Sequence, residues 1–535
     1  MNESGASAGP SRAELVARLA AEGVVDVVVI GGGATGLGVA VDAATRGWST
    51  VLLEADDFAK GTSSRATKLV HGGVRYLAQG RIGLVREALR ERGRLLANAP
   101  HLVRPLPFVI PARGVRGRLW DRAFYGTGLA LYDALAGAAT LGPTRWLSAA
   151  DAAAALPGVR RAGLAGGLRY WDAQFDDARL AVALARTAIR SGAVVLNHFP
   201  VTALVHGAAG RVAGVEATDR ETGAVHRIRG RCVVNAAGVW VDDVRRMDAA
   251  SATPLVAPSQ GVHLVVDRGF LPGEAALLVP RTADGRVLFA VPWEGHVILG
   301  TTDTPRADLP LEPRPFTAEV DFILAEAARY LERPPTRADV RSAWAGLRPL
   351  VRPATGGGDT KRVSREHAIL VSPRGLVTVV GGKWTTYRAM AEDVLARCVA
   401  AGLLDPRPAG GTRSLALVGA PEHGAAVTDS LAAPPGLQLY GTEAGAVAAL
   451  PGAGRDLLPG LSEAMVRFAA RHEYARSVED VLARRSRWLF LDAAAASGVA
   501  DEVAAILAEE LGPPFDAAAS AAAFCHVAKG YRLTP

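Results

Sequence analysis

The sequence predicts an α/β chain in three parts: a Rossmann-like dinucleotide-binding fold, an interleaved antiparallel β-sheet domain, and a C-terminal all-α domain. Three observations carry this. An apolar run at residues 26–30 (DVVVI) leads straight into GGGATG and a helical stretch. Strand-like segments recur far downstream, across residues 193–300, with turn signals between them. After Pro406 the character becomes helical.

Taken in order, residues 12–22 read as a short amphipathic helix. Residues 26–30 form a continuous apolar run, as a strand covered on both faces needs. Residues 50–53 (TVLL) are a second buried strand ending at Glu54, which completes a βαβ unit. Residues 86–99 and 176–191 read as helices, with a strand at 193–196. Residues 104–150 mix prolines, arginines and aromatics and give no clear period. Residues 201–231 alternate and turn at Gly210–Arg211 and Thr222–Gly223, a β-meander. Residues 232–235 are a further buried strand, and 262–300 carry a hairpin turning at Glu294–Gly295. A helix at 317–332 and a strand at 376–380 follow, the strand running through GGK into another helix. Helical patterns then occupy 462–472, 477–491 and 493–511, with Ser477 and Asp480 placed as a capping box.

Composition narrows the function. At 535 residues, 49% hydrophobic and 21% charged, the chain can bury large cores. Lys plus Arg is 60 against 53 for Asp plus Glu, a net +7. That mild, dispersed excess argues against nucleic acid but permits an anionic substrate, cofactor or lipid surface. Cys232, Cys398 and Cys525 are the only cysteines, too few and too scattered for a disulfide framework, an iron–sulfur cluster or a cysteine metal site. No metal site is expected, and a reducing, intracellular home fits. The N-terminal residues have no apolar core of a secretory signal. No run of about 18 apolar residues marks a spanning helix.

The fingerprint Gly31-x-Gly33-x-x-Gly36 sits between strand and helix, with Thr35 inside it. Gly31 allows the tight turn, Gly33 lets a pyrophosphate approach the backbone, and Gly36 lets the helix pack on the strand. The helix N-terminus then faces the phosphates. Glu54 is placed to accept from ribose hydroxyls, which argues against a 2′-phosphate. Residues 58–77 are small, polar and glycine-rich, which suits backbone running beneath a flat ring and favours FAD over a nicotinamide. A helix N-terminus near Lys383 would stabilise the negative charge of reduced flavin.

Several segments resemble FAD-dependent glycerol-3-phosphate dehydrogenases. They are DVVVIGGGATGLGVAVDAATRG, VLLEADDFAKGTSS, TKLVHGGVRYL, PSQGVHLVV, GTTDTP, GLRPL, VVGGKWTTYR and EYARSVEDVLARRSRWLFLD. The resemblance covers residues 25 to 530. It implies a D-amino-acid-oxidase-like flavoprotein that oxidises sn-glycerol 3-phosphate to dihydroxyacetone phosphate, with electrons passed to membrane quinone. The same motifs serve a peroxide-forming glycerol-3-phosphate oxidase, and the fold also serves amine and amino-acid oxidases. Trp384 and the glycine-rich stretch 351–360 depart from the family pattern.

The expected division is an FAD-binding domain from segments 23–100, 186–258 and 373–405, a substrate domain from 101–185 and 259–372, and a helical domain at 406–535 that could form a homodimer face. For the substrate, the resemblance maps Arg75, Arg348, Arg365 and Lys383 onto substrate-contacting positions; the chemistry assigns Arg75, Tyr76 and Arg365 to phosphate and Arg348 and Lys383 to the C2 and C3 oxygens. Arginine suits that task because its planar fork grips phosphate bidentately. His263 is the candidate general base, an imidazole that titrates near neutrality; Lys383, Arg348 with a water, or Tyr76 could serve instead. Expected cofactor contacts are Thr62, Ser63, Ser64, Lys68, Leu69, His71 and Gly73 around the flavin. Val201, Ala237, Gly238 and Trp240 are expected toward the adenosine. Gly382, Lys383 and Thr385 are expected at the late turn.

Residues 104–125 interleave Arg113, Arg116, Arg118 and Arg122 with Leu119, Trp120, Phe124 and Tyr125. Basic heads beside aromatic bodies suit an anionic membrane surface. With the quinone acceptor that the resemblance implies, the expected location is cytoplasmic, on the inner face of the cytoplasmic membrane.

Overall fold

Val25, Val27, Val28, Val29 and Ile30, buried on both faces, make Val24–Ile30 an inner strand of an eight-stranded sheet among the described residues. The computed structural model describes residues 9–77, 80–352, 367–422, 424 and 429–533. The sheet runs His367–Val371, Leu376–Gly381, Val225–Asn235, Val24–Ile30, Thr50–Leu53, Val194–Leu196. All neighbours in that order are parallel except the first pair. Val201–His206 and Val212–Thr218 form the expected meander, attached antiparallel to the first half of Val225–Asn235. The helix Ala34–Thr45 covers the sheet and lies against Tyr387–Ala400. A Cβ on Gly38 would come within 2.8 Å of Tyr387 Cδ2, so only glycine permits that approach.

The second sheet has ten strands among the described residues. Its two long antiparallel pairs are Val103–Arg113 with Leu164–Phe175, and Val256–Asp267 with Val340–Val351. The hairpin Leu288–Trp293/His296–Gly300 turns at Glu294–Gly295, as its pattern predicts. One junction is parallel, Ala276–Val279 beside Val103–Arg113, so the sheet is mixed rather than purely antiparallel. Its strands come from residues 69–175 and 256–351, between segments that feed the first sheet, so the two sheets are interleaved in sequence.

The stretch that gave no period resolves into the strand Val103–Arg113 and the helix Gly114–Ala136. Pro105, Pro107 and Pro111 within that strand lack the N–H a ladder uses, which is why it did not read as a strand.

The C-terminal region is helical, at Glu463–His472, Ala500–Leu511 and Ala517–Lys529, with a short antiparallel pair Asp456–Leu458/Leu461–Ser462. It does not stand apart. Val478, Leu482, Phe490 and Tyr531 share one hydrophobic core with Val27, Leu52 and Val233. The expected helix at 477–491 is instead a π-turn, Asp480–Arg485, and a short helix, Trp488–Leu491. The break falls at Arg487, whose φ of 65° no helix accepts. Residues 493–511 likewise divide into Ala493–Gly498 and Ala500–Leu511.

Candidate active site

The carboxyl ends of the parallel strands open onto one elongated cavity of about 730 Å³. This is where open α/β sheets bind ligands. Gly31, Gly33 and Thr35 line one end, with Leu53, Glu54, Val201, Ala237, Gly238 and Trp240 close by. Gly31 has φ 108°, and a Cβ there would stand 2.7 Å from the Ala236 carbonyl oxygen. Gly36 lies beneath the turn, where a Cβ would collide with the Gly31 carbonyl. The helix Ala34–Thr45 begins at Gly33, which offers no side-chain cap. Ser63 Oγ instead accepts from the Ala34 N–H at 2.9 Å, marking the position a phosphate oxygen would take. Glu54 accepts from the Gly32 N–H at 2.5 Å and from the Asp56 N–H at 2.9 Å, and burial pushes its carboxyl up to about 7.

The segment from Thr62 to His71 runs along the middle of the cavity. Thr62, Ser63, Leu69 and His71 line it. Thr62 Oγ1 donates to the Leu347 carbonyl at 2.5 Å and Trp384 Nε1 to the Ser63 carbonyl at 2.8 Å, which clamps the segment between both sheets. The His71 N–H donates to Thr385 Oγ1 at 3.3 Å. Ser64 and Lys68 do not face the cavity: both are buried beneath the segment. Lys68 was expected at the flavin, but its ammonium is drawn the other way by the Asp177 carboxylate at 2.7 Å. Gly73 also lies off the cavity wall, with φ 80° and the Tyr76 ring packed on its Cα.

His263, Arg348, Gly382, Lys383 and Thr385 also line the cavity. His263 and Arg348 project from adjacent antiparallel strands, where Ser259 pairs with Arg348 and His263 with Trp344. His263 is buried and stacks on the Trp344 ring at 4.2 Å. Its Nε2 shares a 2.8 Å hydrogen bond with Thr67 Oγ1. Burial, then the Lys68 and Arg348 charges, hold its imidazole well below the usual range. Arg348 donates to the Thr302 carbonyl at 3.0 Å and to Thr301 Oγ1 at 3.1 Å, and Asp303 faces it at 3.3 Å. Lys383 Nζ sits 4.0 Å from the centre of the Tyr76 ring, which brings those two together. Arg75 lies on the short helix Val74–Leu77, its side chain outside the described residues, and Arg365 is outside them altogether.

Single-residue reasoning missed Thr67, Asp303 and Arg65, all on the cavity wall. Thr67 and Asp303 stand inside motifs that signalled the site, TKLVHGG and GTTDTP. Arg65 is turned to Glu312 at 2.8 Å, an ion pair no local pattern announces. Asp57, His198 and Asp480 cluster closely enough to suggest a metal, but Arg484 and Arg485 occupy Asp57 and Arg484 also holds Asp480.

A glycine turn at a helix N-terminus, opening on a cavity that His263, Arg348 and Lys383 also line, suits a flavin-dependent oxidoreductase. A family model for FAD dependent oxidoreductases matches residues 26–392. A second, for the C-terminal domain of alpha-glycerophosphate oxidase, matches residues 410–514. The chain is 43% identical over 506 residues to a glycerol-3-phosphate dehydrogenase of Mycobacterium leprae, covering 90% of this chain and 85% of that one. It is 41% identical over 541 residues to a probable mitochondrial glycerol-3-phosphate dehydrogenase of Caenorhabditis elegans, covering 96% and 74%. Among solved structures, the glycerol-3-phosphate dehydrogenase of Bacillus halodurans complexed with FAD aligns over 98% of both chains, with TM-score 0.77 and 30% identity. The chain belongs to the FAD-dependent glycerol-3-phosphate dehydrogenase family, and its cofactor is FAD.

Proposed function

We propose that this enzyme oxidises sn-glycerol 3-phosphate to dihydroxyacetone phosphate and passes the electrons to membrane quinone. The observation that carries the reading is the convergence of His263, Arg348 and Lys383 on the cavity that begins in the glycine cradle. The cradle fits FAD because its turn leaves no room for a side chain at Gly31 or Gly36, where a Cβ would meet backbone carbonyls. Bound FAD supplies a hydride acceptor. Glu54 would hold the ribose, the Gly33 helix start the pyrophosphate, and the 62–71 segment the ring.

The protein's own residues do the rest. Arg348 binds the substrate's C2 oxygen, oriented by Thr302 and Asp303. Lys383 takes the neighbouring C3 oxygen. Arg75, Tyr76 and Arg365 hold the phosphate. His263 takes the C2 hydroxyl proton as hydride leaves C2, on Nε2 once the substrate hydroxyl replaces Thr67 Oγ1 as its partner, and a neutral imidazole is the form able to do so. Replacement of His263 by Ala is expected to cut turnover by about 10²-fold or more while FAD stays bound. Near-normal turnover would remove His263 from this role.

The helix Gly114–Ala136 carries Arg116, Arg118 and Arg122 and supports docking on an anionic cytoplasmic membrane surface, where quinone resides. No helix among the described residues is long and apolar enough to cross a membrane. Flotation with anionic vesicles at low salt tests this, and failure to float would sink it. The match to an oxidase C-terminal domain supports a second reading, electron transfer to oxygen. Peroxide release during turnover without added quinone would favour that acceptor.

A further inference from the structure

Between His71 and the short helix Val74–Leu77 the chain turns on two glycines, and a side chain from a distant helix holds that turn. Tyr132, on the helix Gly114–Ala136, is 1% exposed. Its hydroxyl oxygen accepts from the Gly72 N–H at 2.8 Å. The same hydroxyl donates to the Asp172 carboxylate, with Oδ2 at 2.8 Å. Arg92 donates to Asp172 Oδ1 at 2.7 Å and to the Ala139 carbonyl at 2.8 Å. Asp172 thus takes the phenol proton, which leaves a lone pair for Gly72. The packing is close: a Cβ on Gly72 would stand 2.5 Å from the Tyr132 hydroxyl oxygen and 2.7 Å from Leu89 Cδ2. Gly73 follows with φ 80°, in the left-handed region. A Cβ there would lie 2.5 Å from Tyr76 Cδ2 and 3.5 Å from Lys383 Nζ, so both side chains cover its bare Cα. The Tyr76 N–H donates back to the Gly73 carbonyl at 2.8 Å, and Lys383 Nζ lies 4.0 Å from the centre of the Tyr76 ring.

We propose that Tyr132 is a positioning residue: by holding the Gly72 N–H it sets the level of the glycine pair, and with it the place of the Lys383 ammonium in the substrate site. This deepens the reading of Lys383 as a substrate contact and rests on it. The contacts run without a gap from Tyr132 to Gly72, along the backbone to Gly73, and from Gly73 to the Tyr76 ring and Lys383. A phenylalanine would fill the same space, so the hydroxyl is what the turn requires. Without it the buried Gly72 N–H loses its acceptor. Two adjacent glycines have no side chains to pin them, so the turn then shifts toward another partner. Tyr76 and Lys383 ride on that turn, and a ring attracts a cation only over a short range. A small displacement of a group that grips the substrate is enough to weaken binding.

The test is a double-mutant cycle on the FAD-loaded enzyme. Tyr132→Phe alone should raise KM for sn-glycerol 3-phosphate about tenfold and leave kcat within about twofold, with FAD content and melting temperature near those of the wild type. In a Lys383→Met background the same change should raise KM by no more than about twofold, because the lysine it positions is gone. Acetylation of Lys383 by acetic anhydride, followed by mass spectrometry, reads its setting without turnover. The rate should rise at least about twofold in Tyr132→Phe, as the contact with the Tyr76 ring loosens. Should Tyr132→Phe not load FAD, Asp172→Asn replaces it, and the same outcomes decide. Its amide oxygen can stay with Arg92 while its NH2 donates to the Tyr132 hydroxyl in competition with Gly72. An unchanged KM in Tyr132→Phe where Lys383→Met raises it, an equal rise in both backgrounds, or an unchanged acetylation rate overturns the proposal. If Lys383→Met alone leaves KM unaltered while acetylation still responds to Tyr132→Phe, the positioning stands and Lys383 is not a substrate contact.

Discussion

Arg487 donates to the Ser64 carbonyl at 2.7 Å, so the C-terminal region holds the segment that runs along the cavity. The same guanidinium lies 3.1 Å from Asp177, and Arg484 and Arg485 from the adjoining π-turn grip Asp57. These long-range bonds make the C-terminal helices a brace for residues 57–68, and the shared hydrophobic core seals them in place.

Arg487→Met should therefore act at a distance. It leaves Asp176 and Asp177 buried with one cation fewer, a loss on the order of 3–5 kcal/mol. Denaturant unfolding should show that loss and FAD content should fall with it. An unchanged midpoint and full FAD content would mean the brace does not hold the segment.

Gly36→Ala tests the cradle. The added methyl would meet the Gly31 carbonyl, which is backbone and cannot rotate aside. The flavin-to-protein ratio after purification should drop sharply. A fully loaded Ala variant would mean the turn is not shaped for a pyrophosphate.

Gly261→Ala tests Arg348 without touching it. A Cβ at 261 would run into the Arg348 guanidinium, the far end of a flexible side chain, so the fold should survive while the arginine is displaced. The expected result is a normal melting temperature, normal FAD content and kcat/KM lowered at least about tenfold. Unchanged kinetics would place Arg348 outside the substrate contacts.

His101 predicts an acid-side stability loss. It is buried, and burial, then the charges of Arg179 and Arg104, lower it to about 3. An unfolded chain binds the proton below about 6.5 while the native state does not, so stability is full above that pH and falls toward 3. Melting temperatures at neutral and mildly acid pH should diverge less in His101→Gln than in the wild type. Equal divergence would show that His101 is not a source of the loss.

What was legible in the sequence follows from how local each signal is. Gly31, Gly33, Gly36 and Glu54 sit in one βαβ unit, so strand period, turn glycines and acid could be read together. The direction of the Lys68 side chain is not legible locally because it is set by Asp177, over a hundred residues away in the chain. The break at Arg487 is hidden for the same reason: beside the Ala483 carbonyl four residues away, its guanidinium is held by Ser64 and Asp177, far off in the chain. Prolines hid the strand Val103–Arg113, which pairs along its whole length with Leu164–Phe175.

The central claim is that substrate bound among His263, Arg348 and Lys383 delivers its hydride to FAD in the adjoining cradle. Anaerobic titration of the FAD-loaded enzyme with sn-glycerol 3-phosphate tests it most directly. The account predicts stoichiometric loss of the oxidised flavin absorbance, slowed strongly in His263→Ala. A flavin spectrum unchanged by saturating substrate would contradict it.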